Sequence, residues 1–406
     1  MAGLRRTFPA PVEDETFQAV GRVRFRSERL VCCRRRVTND GIRAHHSCRF
    51  GSAHCGNEAS GTRTTDTLRS PFSFLPVSGY MTPASAVRYP TRGQRLLVAA
   101  LVGLASAVVA FALIGRPGYD SDFYHFWWAA RITLSGGDPY ALPTPGPLNP
   151  GNLHFLYPYP AALLLLPFAK TSLALGGALF VGSGSAAAAW AISRDGWYRL
   201  PIFLSAPFLL TLSLGQWSPW IVAAALTPAL APFLVAKPNV GLAAWFARPS
   251  RTAVYVGLAT LAVSLVVRPT WPAEWLPMMT GRDEKFIPIL RPGGFLLLSA
   301  LLSWRTPEGR LLAAMSVVPQ ALFFYDQLVL WLIPKTLRQS ILLSLWSVVA
   351  FIAWDRLLRP GELYVQKGVP YAYSQYFAAL AIVLYNWRKS RGATPADHPS
   401  VSDRIG

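Results

Sequence analysis

Two groups of side chains in this 406-residue sequence have types and spacings that invite chemistry. The first lies in residues 119–140, where Tyr-Asp-Ser-Asp-Phe-Tyr-His-Phe-Trp-Trp-Ala-Ala-Arg leads on to a Gly-Gly-Asp-Pro-Tyr turn. Asp120, Asp122, His125 and Arg131 place two carboxylates, an imidazole and a guanidinium in one short aromatic segment. Carboxylates gathered among aromatic rings are candidates for chemistry, but Asp120 or Ser121 also makes a good helix N-cap. The second group is Cys32, Cys33, Cys48 and Cys55 with His45, His46 and His54. A zinc site is the sharp reading of that group. Its spacing argues against zinc, because adjacent cysteines do not act like ligands two residues apart. The Arg-, Ser- and Gly-rich surroundings lack the apolar periodicity of a folded domain, so disorder is the better expectation. No residue set points to a cofactor or a metal.

The elements that must position the first group belong to a membrane. Charged residues are 15% of the chain and hydrophobic ones 52%, a balance too apolar for soluble domains. Apolar runs recur at Leu96–Ile114, Leu173–Ile192, Ile221–Val235, Ala253–Val267, Phe295–Trp304, Leu311–Tyr325, Ile341–Trp354 and Phe377–Trp387. Extended by their flanking aromatics and prolines, they predict an all-α polytopic protein of about ten spans. The net charge of +19 fits cytoplasmic loops better than nucleic acid, since no base-stacking or groove-reading motif accompanies it.

Met81, followed by Arg88, Arg92, Arg95 and then the first apolar run, reads as the natural start. Residues 1–80 are therefore expected to be disordered or an over-extended N-terminal segment, 81–391 the membrane domain and 392–406 a polar tail. Basic residues before Leu96 put the N-terminus in the cytoplasm. Alternating crossings then place 115–157 and 268–292 outside. They place Arg194, Arg199, Lys237, Arg248, Arg310 and Lys335 inside, with both termini cytoplasmic in a plasma-membrane protein. In the first outer loop Phe123, Phe126, Trp127, Ala130 and Leu134 follow at helical spacing until Gly136-Gly137, which predicts a short amphipathic helix. The run Ala161–Phe168, bounded by prolines, is too short to cross and predicts a half helix.

Three stretches carry a resemblance: the Asp-Phe-Tyr start at 122–124, the Gly-Gly-Asp-Pro-Tyr turn at 136–140, and Phe-Leu-Tyr-Pro-Tyr-Pro-Ala-Ala-Leu-Leu-Leu-Leu-Pro-Phe-Ala at 155–169. They resemble the family 87 glycosyltransferases, GT-C membrane proteins that include polyprenol-phosphate-mannose-dependent α-mannosyltransferases. Leu214-Gly215-Gln216 and Lys237-Pro238-Asn239 match more weakly, and the short stretch around Lys237 departs from the helix pair expected there. The resemblance implies inverting transfer of a hexose, with mannose the expected sugar. The donor is a polyprenyl-phosphate sugar in the bilayer, and the acceptor a lipid or glycan hydroxyl on the outer face. It assigns the general base to Asp122, with Asp120 the alternative. His125, three residues after Asp122, and His154 then become candidates for phosphate or sugar contacts. Arg131 and Lys237 become candidates for the donor phosphate, although the alternating topology puts Lys237 on the wrong side unless it lies on a broken helix. Gln216 is placed to bond sugar hydroxyls or to cap its helix end, and Tyr157 to stack on a sugar. The rival class is a transporter or flippase of a lipid-linked or polar solute; the sequence shows no convincing internal repeat of the kind such proteins carry.

Overall fold

The computed structural model describes residues 89–116, 121–141, 155–280, 286–320, 324–357 and 364–392. The expectations for residues 1–80, for Asp120 and His154, and for the tail beyond Gly392 lie outside these residues. Within them the chain is all-helical, with no strand and one antiparallel bridge between Phe286 and Gln320.

Helix α1 (Arg92–Ile114) starts at a capping box in which Thr91 and Gln94 each accept from the other's backbone N–H. No charge follows Arg95, and the helix runs antiparallel along α4 (Leu173–Ile192), itself capped by Ser172. The pair meets through small residues. A Cβ on Gly103 would stand 2.8 Å from that of Ala186, and one on Gly182 2.8 Å from that of Ala107, so the two backbones approach as membrane helices do. The opposite face of α1, with Leu97, Leu101, Leu104, Val108 and Phe111, is exposed. Helices α9 (Arg251–Val267) and α12 (Leu337–Leu357) expose similar stripes. Apolar surface on that scale needs a lipid solvent.

Among the described residues, three helices, α1, α4 and α12, are long and apolar enough to cross a bilayer. The count reaches five if each of two bent pairs is one span: α5 (Ala206–Leu214) with α6 (Ser218–Leu226), bent by 119°, and α9 with α10 (Trp271–Thr280), bent by 106°. This is fewer than the roughly ten expected from hydropathy. Proline is the physical reason. Pro201, Pro207, Pro219, Pro228, Pro232 and Pro238 divide residues 200–247 into short pieces, among them α7 (Pro232–Ala236) and α8 (Pro238–Ala247). The 3-10 segments Gly294–Ser303 and Phe324–Leu332 flank the eleven-residue α11 (Pro307–Val317) in sequence. Helix α13 (Tyr364–Gly392) is long, but its first turns are polar. The half helix expected at 161–168 forms as α3 (Tyr159–Leu165) and a closing 3-10 turn.

Charged groups collect at the two ends of the α1–α4 pair, about 34 Å apart for a helix of that length. At the start of α1, Arg95 donates to the Trp190 carbonyl at 2.7 Å. Arg199 pairs with Asp195 at 3.5 Å, Lys335 with Glu308 at 3.3 Å, and Arg310 donates to the Ala247 carbonyl at 2.9 Å. At the far end Arg268 holds Asp138 and Glu274, each at 2.6 Å, so the segments 121–141 and 268–280 are tied together.

Candidate functional site

Helix α2 (Asp122–Leu134) is seated by glycine. Phe123, fully buried, lies against Gly176 and Gly177 of α4 and against Gly215, where a Cβ would come within 2.4 Å of its own Cβ. Gly215 also ends α5 in the left-handed region at φ 72°, which only glycine adopts without cost. That turn presents Gln216 to the first residue of α2. Ser121 is the N-cap by backbone geometry, so Asp122 occupies the first helical position and its carboxylate faces the positive end of the helix dipole. The far end closes as the sequence predicts, with Gly136 at φ 77° and the Gly137 N–H donating to Ile132.

Around Asp122 the structure gathers residues from four distant stretches. The fully buried Gln216 donates its amide to Asp122 Oδ2, and Tyr157 donates to Gln216 Oε1 at 3.5 Å. Tyr325 also lies against Asp122. Lys237 forms a buried ion pair with Asp326, and its ammonium lies 4.6 Å from the Tyr325 ring and 6.0 Å from the Tyr157 ring. Beneath them Phe126, Tyr157, Phe180 and Trp217 pack ring on ring, with Phe126 and Tyr157 edge to face at 4.6 Å. The segment carrying Tyr157 is held from the other side: Tyr140 donates to the Tyr157 carbonyl at 2.9 Å and Trp275 to that of Leu156 at 3.0 Å. Burial, reinforced by Glu274, pushes the Tyr140 phenol well above its ordinary value and keeps it a donor.

The position of Lys237 overturns the alternating topology that put it opposite Asp122. The apolar run 217–235 is not one crossing helix. Lys237 sits with non-helical φ, ψ of −134° and 77° at the break between α7 and α8, and Pro238 takes the first turn of α8. The kink is tight enough that a Cβ on Gly241 would lie 2.1 Å from the Leu234 carbonyl oxygen. Asn239 then donates to the Pro319 carbonyl at 2.7 Å, fixing the turn next to the segment that carries Tyr325 and Asp326.

Of the residues singled out in the sequence, Asp122, Tyr157, Gln216 and Lys237 therefore converge. Arg131 does not. It is exposed, half a turn round from Asp122 on α2, stacked 4.6 Å over Trp127 and donating to the Ala169 carbonyl at 3.4 Å. His125 is half-buried with its ring edge-on to Tyr124 at 5.8 Å. Tyr325 and Asp326 were missed. Their signal was an acid set between apolar runs, a pattern that marks function inside membranes.

Described residues that are all-helical, with an apolar exterior and a cluster of a carboxylate, an amide, two tyrosines and an ion pair, define a membrane protein with a polar site. No protein-family model, curated protein or solved structure matches this chain.

Proposed function

We propose that this chain is a GT-C-type glycosyltransferase of the plasma membrane. It moves a hexose, mannose first, from a polyprenyl-phosphate donor to a hydroxyl of a lipid or glycan on the extracytoplasmic face. The observation that carries the reading is the convergence of Asp122, Gln216, Tyr157 and Lys237, which come from separate stretches that resemble one family. Asp122 is only half-buried, so an acceptor hydroxyl has access to it. Its carboxylate takes the hydroxyl proton as the oxygen bonds to the anomeric carbon. The bond from that carbon to the phosphate oxygen breaks, and the electron pair leaves with polyprenyl phosphate. Gln216 and Tyr325 aim the carboxylate, and the Lys237 charge favours the departing phosphate. The fold that goes with this function is a GT-C bundle of about ten spans, in which the broken helices α5 to α8 count as partial crossings.

Protein reconstituted in liposomes with radiolabelled polyprenyl-phosphate mannose and the host's membrane lipids is expected to move label into a more polar lipid or glycan. The product is expected to have the anomeric configuration opposite to the donor's. Absence of transfer from every polyprenyl-phosphate hexose tried removes the enzyme. One observation favours a second reading: helices broken beside a buried ion pair are how transporters build substrate sites. Movement of the intact lipid-linked sugar across the same liposomes, with no bond cleaved, would establish it.

Sidedness is tested separately. In a chain whose four cysteines are replaced by serine, Ser135→Cys and Ala273→Cys are expected to react with an impermeant maleimide on whole cells. Pro249→Cys, at the Arg199 end, is expected to react only after permeabilisation. The reverse pattern inverts the orientation.

A further inference from the structure

Beyond the ion pair the polar interior continues. Tyr325, Asp326 and Gln327 are consecutive on the 3-10 segment Phe324–Leu332, where each residue turns about a third of the way round from the last. Tyr325 reaches Asp122, Asp326 reaches Lys237, and Gln327 points to neither. Its fully buried amide has neither nitrogen nor oxygen bonded among the described residues. Gln375 on α13 is in the same condition. One turn earlier Ala372 packs with Phe324 and Trp354, which places Gln375 on the face of α13 turned to that segment. The neighbouring Tyr376 hydroxyl bonds Gln320 and lies within reach of Gln327 without completing a hydrogen bond to it. Gln320 is itself fixed by the bridge to Phe286 and by donation to the Met315 carbonyl at 2.6 Å.

Two primary amides without hydrogen-bond partners in one apolar interior are costly, because each has given up water and gained nothing in return. They are retained where something else completes them. An amide offers a donor and an acceptor side by side and carries no charge, so it suits a neutral hydroxyl, which also both gives and takes. We propose that Gln327 and Gln375, with Tyr376 beside them, form a subsite for the non-reacting hydroxyls of a sugar ring, adjoining Lys237 and Asp122 through Asp326 and Tyr325. This rests on the glycosyltransferase reading for its role but not for its binding chemistry. The anionic part of a ligand belongs near Lys237, and the polyol part near the amides.

The test uses the full chain in lipid nanodiscs with methyl α-D-mannopyranoside and methyl glucosides as probes, read by saturation-transfer NMR. Wild type is expected to transfer saturation to the ring protons of at least one hexoside. The variant Gln327→Leu/Gln375→Leu is expected to bind at least tenfold more weakly while melting no lower than wild type, because it removes polar atoms that have no protein partner. A variant that melts clearly lower and binds the probe unchanged shows that the amides only hold the fold, and overturns the subsite. No hexoside bound by wild type also overturns it. Hexoside binding without transfer from any lipid-linked donor keeps the subsite and removes the enzyme. Transfer with unchanged KM and kcat in the variant keeps the enzyme and removes the subsite.

Discussion

Asp122→Asn is expected to abolish transfer while leaving the fold and donor binding intact. Asparagine has the same size and still offers an oxygen to the Gln216 amide, so the contact between α2 and the Gly215 turn survives. The substitution removes a charge from the first turn of α2, a loss of about 0.3–1 kcal/mol to the helix. What asparagine lacks is a basic site for the acceptor's proton. Removing a positioned general base lowers turnover about 10²–10⁴-fold. The fall is expected in kcat, with KM for the donor close to wild type, since the carboxylate acts on the acceptor. Initial rates of label transfer from polyprenyl-phosphate mannose in membranes, at matched protein levels and melting midpoints, measure it. Asp120→Asn is expected to stay near wild type, because Ser121 caps α2 and the proton is assigned to Asp122. Full activity in Asp122→Asn removes the base from this position. Loss in Asp120→Asn alone moves the role two residues back and leaves the enzyme class standing.

How much of this was legible without coordinates follows from which interactions are local. Helices α1 and α4 are visible because uncharged apolar runs of span length have few other solutions in a bilayer. The buried face of α2 is visible because Phe123, Phe126, Trp127 and Ala130 repeat at helical spacing, and its end because Gly136 is needed for a left-handed residue. The crossings between 200 and 332 were not visible. Hydropathy averages over proline, and Pro219, Pro228, Pro232 and Pro238 break a run that a sliding window reads as continuous. The same breaks turn Lys237 from a loop residue into an interior one. Its partner Asp326 lies far along the chain, and nothing local in either stretch announces the pairing. Arg131 failed for the opposite reason: it sits in the right loop, but the helical period carries it to the face away from Asp122.

That ion pair is where the second large effect is expected, and it separates holding the fold from acting on substrate. Asp326 and Lys237 are both almost wholly buried, so removing either partner leaves an uncompensated charge in the interior. Asp326→Asn and Lys237→Met are each expected to destabilise by about 3–5 kcal/mol, seen as a lower melting midpoint in detergent and less protein in the membrane. The double variant Lys237→Met/Asp326→Leu removes both charges and fills the space with apolar groups. It is expected to recover most of that loss, since a buried pair replaced by hydrophobic residues is often neutral or stabilising. Activity is expected not to recover with it. Lys237 lies near the rings of Tyr157 and Tyr325, two members of the cluster around Asp122, and methionine cannot stabilise a departing phosphate. A double variant that is folded and inactive therefore assigns the lysine a part in transfer. One that is folded and active makes the pair structural and leaves the leaving group to another cation. One as unstable as either single variant shows that Lys237 and Asp326 each answer to a further partner. In that case the charge at this point is held by a network around Asp122 and not by a pair.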